Sequence, residues 1–305
     1  MLKRLLHLAV IIIGLSFLTY LLMYISPGDP ALKKLNAQGI SVSEETLEAA
    51  REEMGLNKPF LVRYADWLGN TLTGDLGTSY KDGLPVADKL VHALRYTLIL
   101  SAGSLAVSLI IALPLALISA VKKDGIADNI VRVLSFIGNS LPNFLISVLL
   151  MYFFCVKTRL LPVIADESLK GLIMPCLALA IPMCSRFVRQ FRAEILEQLG
   201  RDYVLGARAR GVKSSTILFK NVLHNAMIPI LTIIALSVGT LLGGSVVVET
   251  IFRWPGLGKL VMDSITARDY PVIQGFVIFT SCVYVLINLA ADICYRRLDP
   301  RVGEM

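Results

Sequence analysis

Residues 96–121 read YTLILSAGSLAVSLIIALPLALISAV and contain no Asp, Glu, Lys or Arg. A helix needs about 20 apolar residues to cross the hydrocarbon core of a bilayer, and this stretch exceeds that. Five further stretches lack those charges: 5–28, 133–156, 171–185, 221–248 and 270–291. Only 171–185 falls short. It can borrow Phe187, Val188 and the snorkelling stems of Arg186 and Arg189. Pro175 and Pro182 within it predict a kink. The first stretch follows Lys3 and Arg4 as a signal peptide would. It has no small-residue cleavage site before Pro27, and five more spans follow it, so it reads as a retained helix. The pattern predicts an all-α membrane protein with six transmembrane helices.

Composition agrees. Of 305 residues, 55% are hydrophobic and 17% charged, where a soluble domain carries about 25% charge. A disordered chain is excluded and an ordinary soluble enzyme disfavoured. The net charge of +7 reads as basic loops beside a bilayer, not as a nucleic-acid surface. Cysteines stand at 155, 176, 184, 282 and 294 without a CxxC pair. Their scatter argues against a disulfide framework or a zinc site and for small apolar packers.

Loop charge sets the orientation. With the N-terminus cytoplasmic, segments 1–7, 122–132, 186–220 and 292–305 hold sixteen Lys/Arg against eight acids. Segments 29–95, 157–170 and 249–269 hold fourteen against fifteen. The shorter set is the more basic, so both termini face the cytoplasm. The large loop after the first helix is then extracytoplasmic. It has a helical pattern at 43–54 (SEETLEAAREEM), with Ser43 as N-cap and Gly55 as stop, then a Gly-rich stretch at 69–77.

Catalytic patterns are missing. Gly69 and Gly74 have the spacing of a phosphate-binding loop, but Asp75 stands where Lys is required. Neither GxSxG nor HExxH occurs, and His7, His92 and His224 are far apart. No carboxylate interrupts the apolar stretches, and Glu249 and Asp292 sit at their ends. The chain reads as a passage without an engine: not an enzyme, with no cofactor and no metal of its own. Candidates to line the passage are Asn139, Ser140, Asn143, Ser237, Thr240, Ser245 and Asn288. Such residues also serve as hydrogen-bonding glue between membrane helices. Gly239, Gly243 and Gly244 form a small-residue face suited to close helix approach.

The one long cytoplasmic segment contains DYVLGARARGVKSSTILFKNVLHNAMIP at 202–229. A short Ala- and Arg-rich helix stops at Gly211, and Ser214 or Ser215 can cap the next. By charge alone it suits either a knob for a cytoplasmic partner or an anchor on anionic lipid.

Here the sequence resembles the coupling-helix loop of binding-protein-dependent ABC-importer permeases, in the dipeptide, oligopeptide and nickel branch. Asp202, Tyr203, Val204, Ala207, Arg208, Ala209, Gly211, Leu223, Asn225, Ala226 and Pro229 match the branch pattern. Leu205 and Gly206 replace the Glu-Ala of the wider family form, and Asn221 and His224 replace its Ile and Pro. Further matches are Gly28-Asp29-Pro30, MGLNKPFLVRYADWL at 54–68, GDLGTS at 74–79, Glu249 with FRWPGLG at 252–258, RDYPVIQ at 268–274, and Leu298-Asp299-Pro300-Arg301.

The resemblance implies a type I ABC importer permease in the bacterial cytoplasmic membrane. It divides the chain into a first helix (1–28), an extracytoplasmic region (29–95), a permease core (96–293) with coupling loop 186–224, and a tail (294–305). It implies a second permease subunit, two cytoplasmic ATPases carrying ATP and Mg, an extracytoplasmic solute-binding protein, and lipid as partners. Asp202, Tyr203, Ala207, Arg208, Ala209, Arg210 and Gly211 would couple to the ATPase, with Ala207 and Ala209 facing the packed surface. Trp254, Pro255, Gly256 and Gly258 would hold a turn where the binding protein docks, Trp254 as an interfacial anchor. The cargo leans to nickel or a nickel chelate, with di- or oligopeptide as the alternative. A secondary transporter or channel would need buried ionisable residues or an inverted repeat, and a membrane enzyme a convergent catalytic cluster.

Overall fold

The computed structural model describes residues 2–37, 42–162 and 168–298, with side chains left undescribed at 2–11, 242, 244, 287, 288 and 290–298. Asn288 as a lining residue, the motif at 299–301 and the tail 294–305 therefore lie outside what is described. The helices are α1 (Leu2–Ile25), α2 (Pro30–Ala37), α3 (Glu44–Glu53), α4 (Phe60–Leu72), α5 (Val86–Val121), α6 (Ile126–Ser140) and α7 (Asn143–Met151). They continue with α8 (Leu169–Leu199), α9 (Asp202–Ala209), α10 (Ser214–Thr216), α11 (Leu223–Gly244), α12 (Val246–Phe252), α13 (Leu257–Ala267) and α14 (Tyr270–Leu298). Two π-helical turns, Tyr152–Lys157 and Ile217–Val222, extend α7 and lead into α11. Thr78 and Pro85 share an isolated β-bridge.

One compact unit comprises Met1–Tyr96 and Pro255–Leu286. Its local order follows from caps and rings. Ser43 Oγ accepts the Thr46 amide at 3.2 Å and the Thr46 hydroxyl accepts the Ser43 amide at 2.9 Å, a reciprocal capping box at the start of α3. Glu44 and Glu45 then face the positive end of the helix. Ala31, Leu35 and Ala50 join α2 to α3. Phe17, Tyr20 and Tyr24 of α1 meet Phe60, Tyr64 and Trp67 of α4 edge-on or tilted at 5.0–5.9 Å. Val86, Leu90 and Ala93 pack with Leu257 and Val272 in a second core. Asp269, 1% exposed, accepts Ser79 Oγ and the Tyr80 amide, the latter at 2.8 Å, pinning the segment before α5.

The other unit comprises Thr97–Trp254 and Ile287–Met305. Helix α8 packs against α6, α7, α11 and α12. Its 31 residues run as one helix despite Pro175 and Pro182, although each proline deletes a backbone donor. The third apolar stretch is not one rod. Pro142, which has no N–H, starts α7, and α6 and α7 with its π turn meet at 99°. The fifth stretch divides at Ser245, between α11 and α12. Val86–Val121, Leu169–Leu199 and Ser214–Leu241 are each long and apolar enough to cross a membrane, and counting each bent pair as one span gives up to five. Tyr270–Leu286 is a shorter apolar helix.

Candidate functional site

The basic segment after α8 builds a small helix capped at its C-terminal end. In α9, Val204 and Ala207 are buried at 0% and 2% exposure, and α9 packs against the π turn Ile217–Val222. The Tyr203 hydroxyl donates to Gln198 Oε1 at 3.1 Å, tying α9 back to α8. At the other end Gly211 N donates to Arg208 O at 2.9 Å and Val212 N to Ala207 O at 3.2 Å. Those two bonds are the Schellman pattern, and it places Gly211 at φ +73°, where a side chain is strained. The next helix is capped otherwise than expected. Lys213, not Ser214 or Ser215, occupies its N-cap, with no side-chain bond.

The opposite face of α9 is open. Asp202, Leu205, Arg208, Ala209 and Arg210 are exposed, Leu205 at 59%. Ala207 and Ala209 therefore point different ways. The expectation that both meet a partner is corrected for Ala207, which seats the helix on its own chain.

Beneath this segment lies a buried ion pair that the sequence reading missed. Asp128, 0% exposed, accepts Arg192 Nε at 2.8 Å, Arg192 Nη2 at 2.6 Å, the Asp124 amide at 2.9 Å and the Ser119 hydroxyl. The bidentate fork satisfies both carboxylate oxygens. It locks the end of α5, the first turn of α6 and α8 together, three turns before α9 begins. Asp128 and Arg192 are far apart in sequence, and only the helix-start position of Asp128 hinted at its use.

Polar side chains proposed to line a passage divide unevenly. Ser237 is buried and Ser140 and Thr240 exposed, and each hydroxyl donates to a carbonyl of its own helix: Ile233, Phe136 and Ser237 respectively. That bond holds the hydroxyl without a second helix. Ser245 is fully buried, and Asn139 and Asn143 are half-buried. A denser polar line lies on α5 instead. Thr97, Ser101, Ser104 and Ser108 are buried at helical spacing, and Ser108 reaches the Ala180 carbonyl of α8 at 3.2 Å. Thr97 donates to Glu249 Oε1 at 2.8 Å, and Glu249 is 0% exposed. A carboxylate read as lying at a span end is thus wholly enclosed.

The turn after α12 also differs from expectation. Trp254 is 2% exposed and its amide donates to Glu249 O at 2.9 Å. It is a core residue, not an interfacial anchor. Gly256 and Gly258 are buried and Pro255 half-buried, while Arg253 is exposed at φ +57°. In the unit holding α13, a groove of ≈480 Å³ is lined by Asp88, Lys89 and His92 of α5 and by Pro255, Lys259 and Asp263. Among the described residues no three His, Cys, Asp or Glu side chains converge as metal ligands.

Apolar helices of spanning length, two of them joined through a basic helix with one open face, define a membrane-embedded chain. Comparison with known proteins places it. The chain belongs to the family of binding-protein-dependent transport system inner membrane components, whose profile matches residues 112–304, with the N-terminal profile of the same family over 1–101. It is a permease subunit of an ABC importer. It is 36% identical to a probable peptide ABC transporter permease of Sinorhizobium fredii, covering 99% of this chain and 98% of that one. It is 37% identical to the nickel import system permease NikB of Staphylococcus aureus (99% and 90%). Against the glutathione transport permease GsiC of Pectobacterium atrosepticum the identity is 37% (98% and 97%). The fold resembles that in inward-facing structures of the MetNI methionine ABC transporter, with TM-score 0.58 and 19% identity over 69% of this chain and 96% of that one.

Proposed function

We propose that this chain crosses the bacterial cytoplasmic membrane six times, with both termini inside, and forms half of the pathway of a heteromeric importer. A second permease supplies the other half, two ATPases bind ATP and Mg, and an extracytoplasmic protein delivers the cargo. The observation that carries this reading is the open face of α9. Leu205 offers an apolar contact, and Arg208 and Arg210 offer charge to a grooved, acidic surface. Closure of the ATPase pair on ATP would push α9, and the Asp128–Arg192 fork would carry that push into α5 and α6 as a rigid body.

The groove beside α13 would receive the binding protein, through the charged rim of Lys89, Lys259 and Asp263. Gly256 is part of its wall.

The cargo is nickel or a nickel chelate, with di- or oligopeptide as the second reading. Relatives named for nickel, peptide and glutathione stand at 36–37% identity, so this chain's cargo is decided at the binding protein. Calorimetry of that protein with nickel, nickel–histidine and dipeptides tests it. Heat with nickel or its chelate supports the first reading, and heat with dipeptide alone replaces it by the second.

A further inference from the structure

The unit containing α1 to α4 holds a cavity that neither coupling nor docking uses. Its volume is ≈320 Å³, at the small end of ligand sites, and its walls come from α1, the α3–α4 connection, α4, the Tyr80 segment and the start of α14. The one carboxylate in its wall is already neutralised. Asp29 accepts Arg51 Nε at 2.8 Å and Nη2 at 2.7 Å, and the Ala31 amide at 2.9 Å.

Several of the groups left in the wall can donate. Arg63 makes no ion pair among the described residues, and Asp66, one turn along α4, is paired with Lys58 at 2.7 Å. Its guanidinium carbon lies 5.9 Å from the Tyr20 ring centre. Gln274 is 6% exposed and its amide is in the wall. The Tyr270 hydroxyl is buried without a hydrogen-bond partner among the described residues. Burial pushes Tyr80 up to about 12, so its phenol remains a proton donor at any physiological pH. Arg63, with no ion pair among the described residues, the Tyr80 and Tyr270 phenols and the Gln274 amide, with the Asp29 carboxylate satisfied, match a small oxyanion. Buried donors left unpaired are costly, which is the physical reason to expect such a ligand.

Its placement selects the source. Tyr20, Met23 and Tyr24 are on the last two turns of α1, where an apolar helix ends. On the same turns Leu22 and Ile25 are 60% and 66% exposed, and the aromatic cluster with α4 stands alongside. Aromatic girdles and arginines mark the headgroup level of a bilayer. We propose that this cavity binds the phosphate of an anionic phospholipid, with its acyl chains along the exposed side of α1. The site is independent of which cargo the importer carries.

The test uses the assembled transporter, purified in detergent and stripped of lipid. Radiolabelled phosphatidylglycerol is added, or labelled inorganic phosphate in a parallel arm, and retained label is counted after desalting. Saturable retention of phosphatidylglycerol is expected. Arg63→Gln should weaken it about tenfold and Tyr270→Phe, which keeps the ring, about fivefold, while Lys170→Gln, an exposed cation elsewhere, leaves it unchanged. Saturable retention of inorganic phosphate with no lipid would overturn the lipid assignment and leave a soluble oxyanion as ligand. Label that does not saturate, or that all three variants retain equally, would overturn the site.

Discussion

Ala207 and Arg208 are neighbours with opposite surroundings. Ala207 is buried in its own chain and Arg208 is exposed. Ala207→Leu should therefore overfill the seat of α9 by roughly 1–3 kcal/mol and lower the melting temperature of this subunit when expressed without its ATPases. Arg208→Glu should leave that temperature unchanged and abolish co-purification with the ATPases. Equal melting losses for both would mean that Arg208 is structural. The Asp128–Arg192 fork gives a second residue-scale expectation. Asp128→Ala strands Arg192, 18% exposed, and should cost roughly 3–5 kcal/mol, read as a loss of membrane abundance. Abundance equal to the parent chain would show that the fork is dispensable. Local signals were legible here. Ser43 and Gly211 announce a helix start and a helix stop because capping needs only a few consecutive residues. The fork was not legible, because its partners meet only when α6 packs on α8.

Elements were read well where hydrophobic length decides them and poorly where geometry interrupts an apolar run. Hydropathy has no term for the 99° bend at Pro142 or the division at Ser245. Pro175 and Pro182 do not end α8, which continues through both. Close approach was equally hidden. A Cβ on Gly138 of α6 would stand 2.3 Å from Ser185 Oγ of α8, so Gly138→Val should push those helices apart and cost roughly 1–3 kcal/mol. Ser185→Ala in the same chain should recover part of that stability in a thermal melt, and no recovery would place the strain elsewhere. Orientation of the elements is tested by labelling. In a background without the native cysteines, Glu48→Cys and Lys81→Cys, both at exposed positions, should react with an impermeant thiol reagent from outside intact cells. Lys213→Cys, also exposed, should react only after permeabilisation. Labelling of position 213 in intact cells would invert the topology.

At the scale of the whole molecule, family membership was legible because its motifs are spread along the chain in order, and the profiles cover both halves. Cargo was not legible, since relatives named for three different cargoes share nearly the full length at 36–37% identity. The central claim is that this chain is a conduit driven by another chain's ATPase through the open face of α9. The direct measurement is uptake of labelled cargo into proteoliposomes holding the complete importer and its binding protein, with ATP enclosed, for the parent chain and for Arg208→Glu. Uptake that needs ATP and the binding protein, and that falls to background in Arg208→Glu while the permease pair stays assembled, is the result predicted. Uptake that proceeds without ATP, or undiminished in Arg208→Glu, would contradict the account.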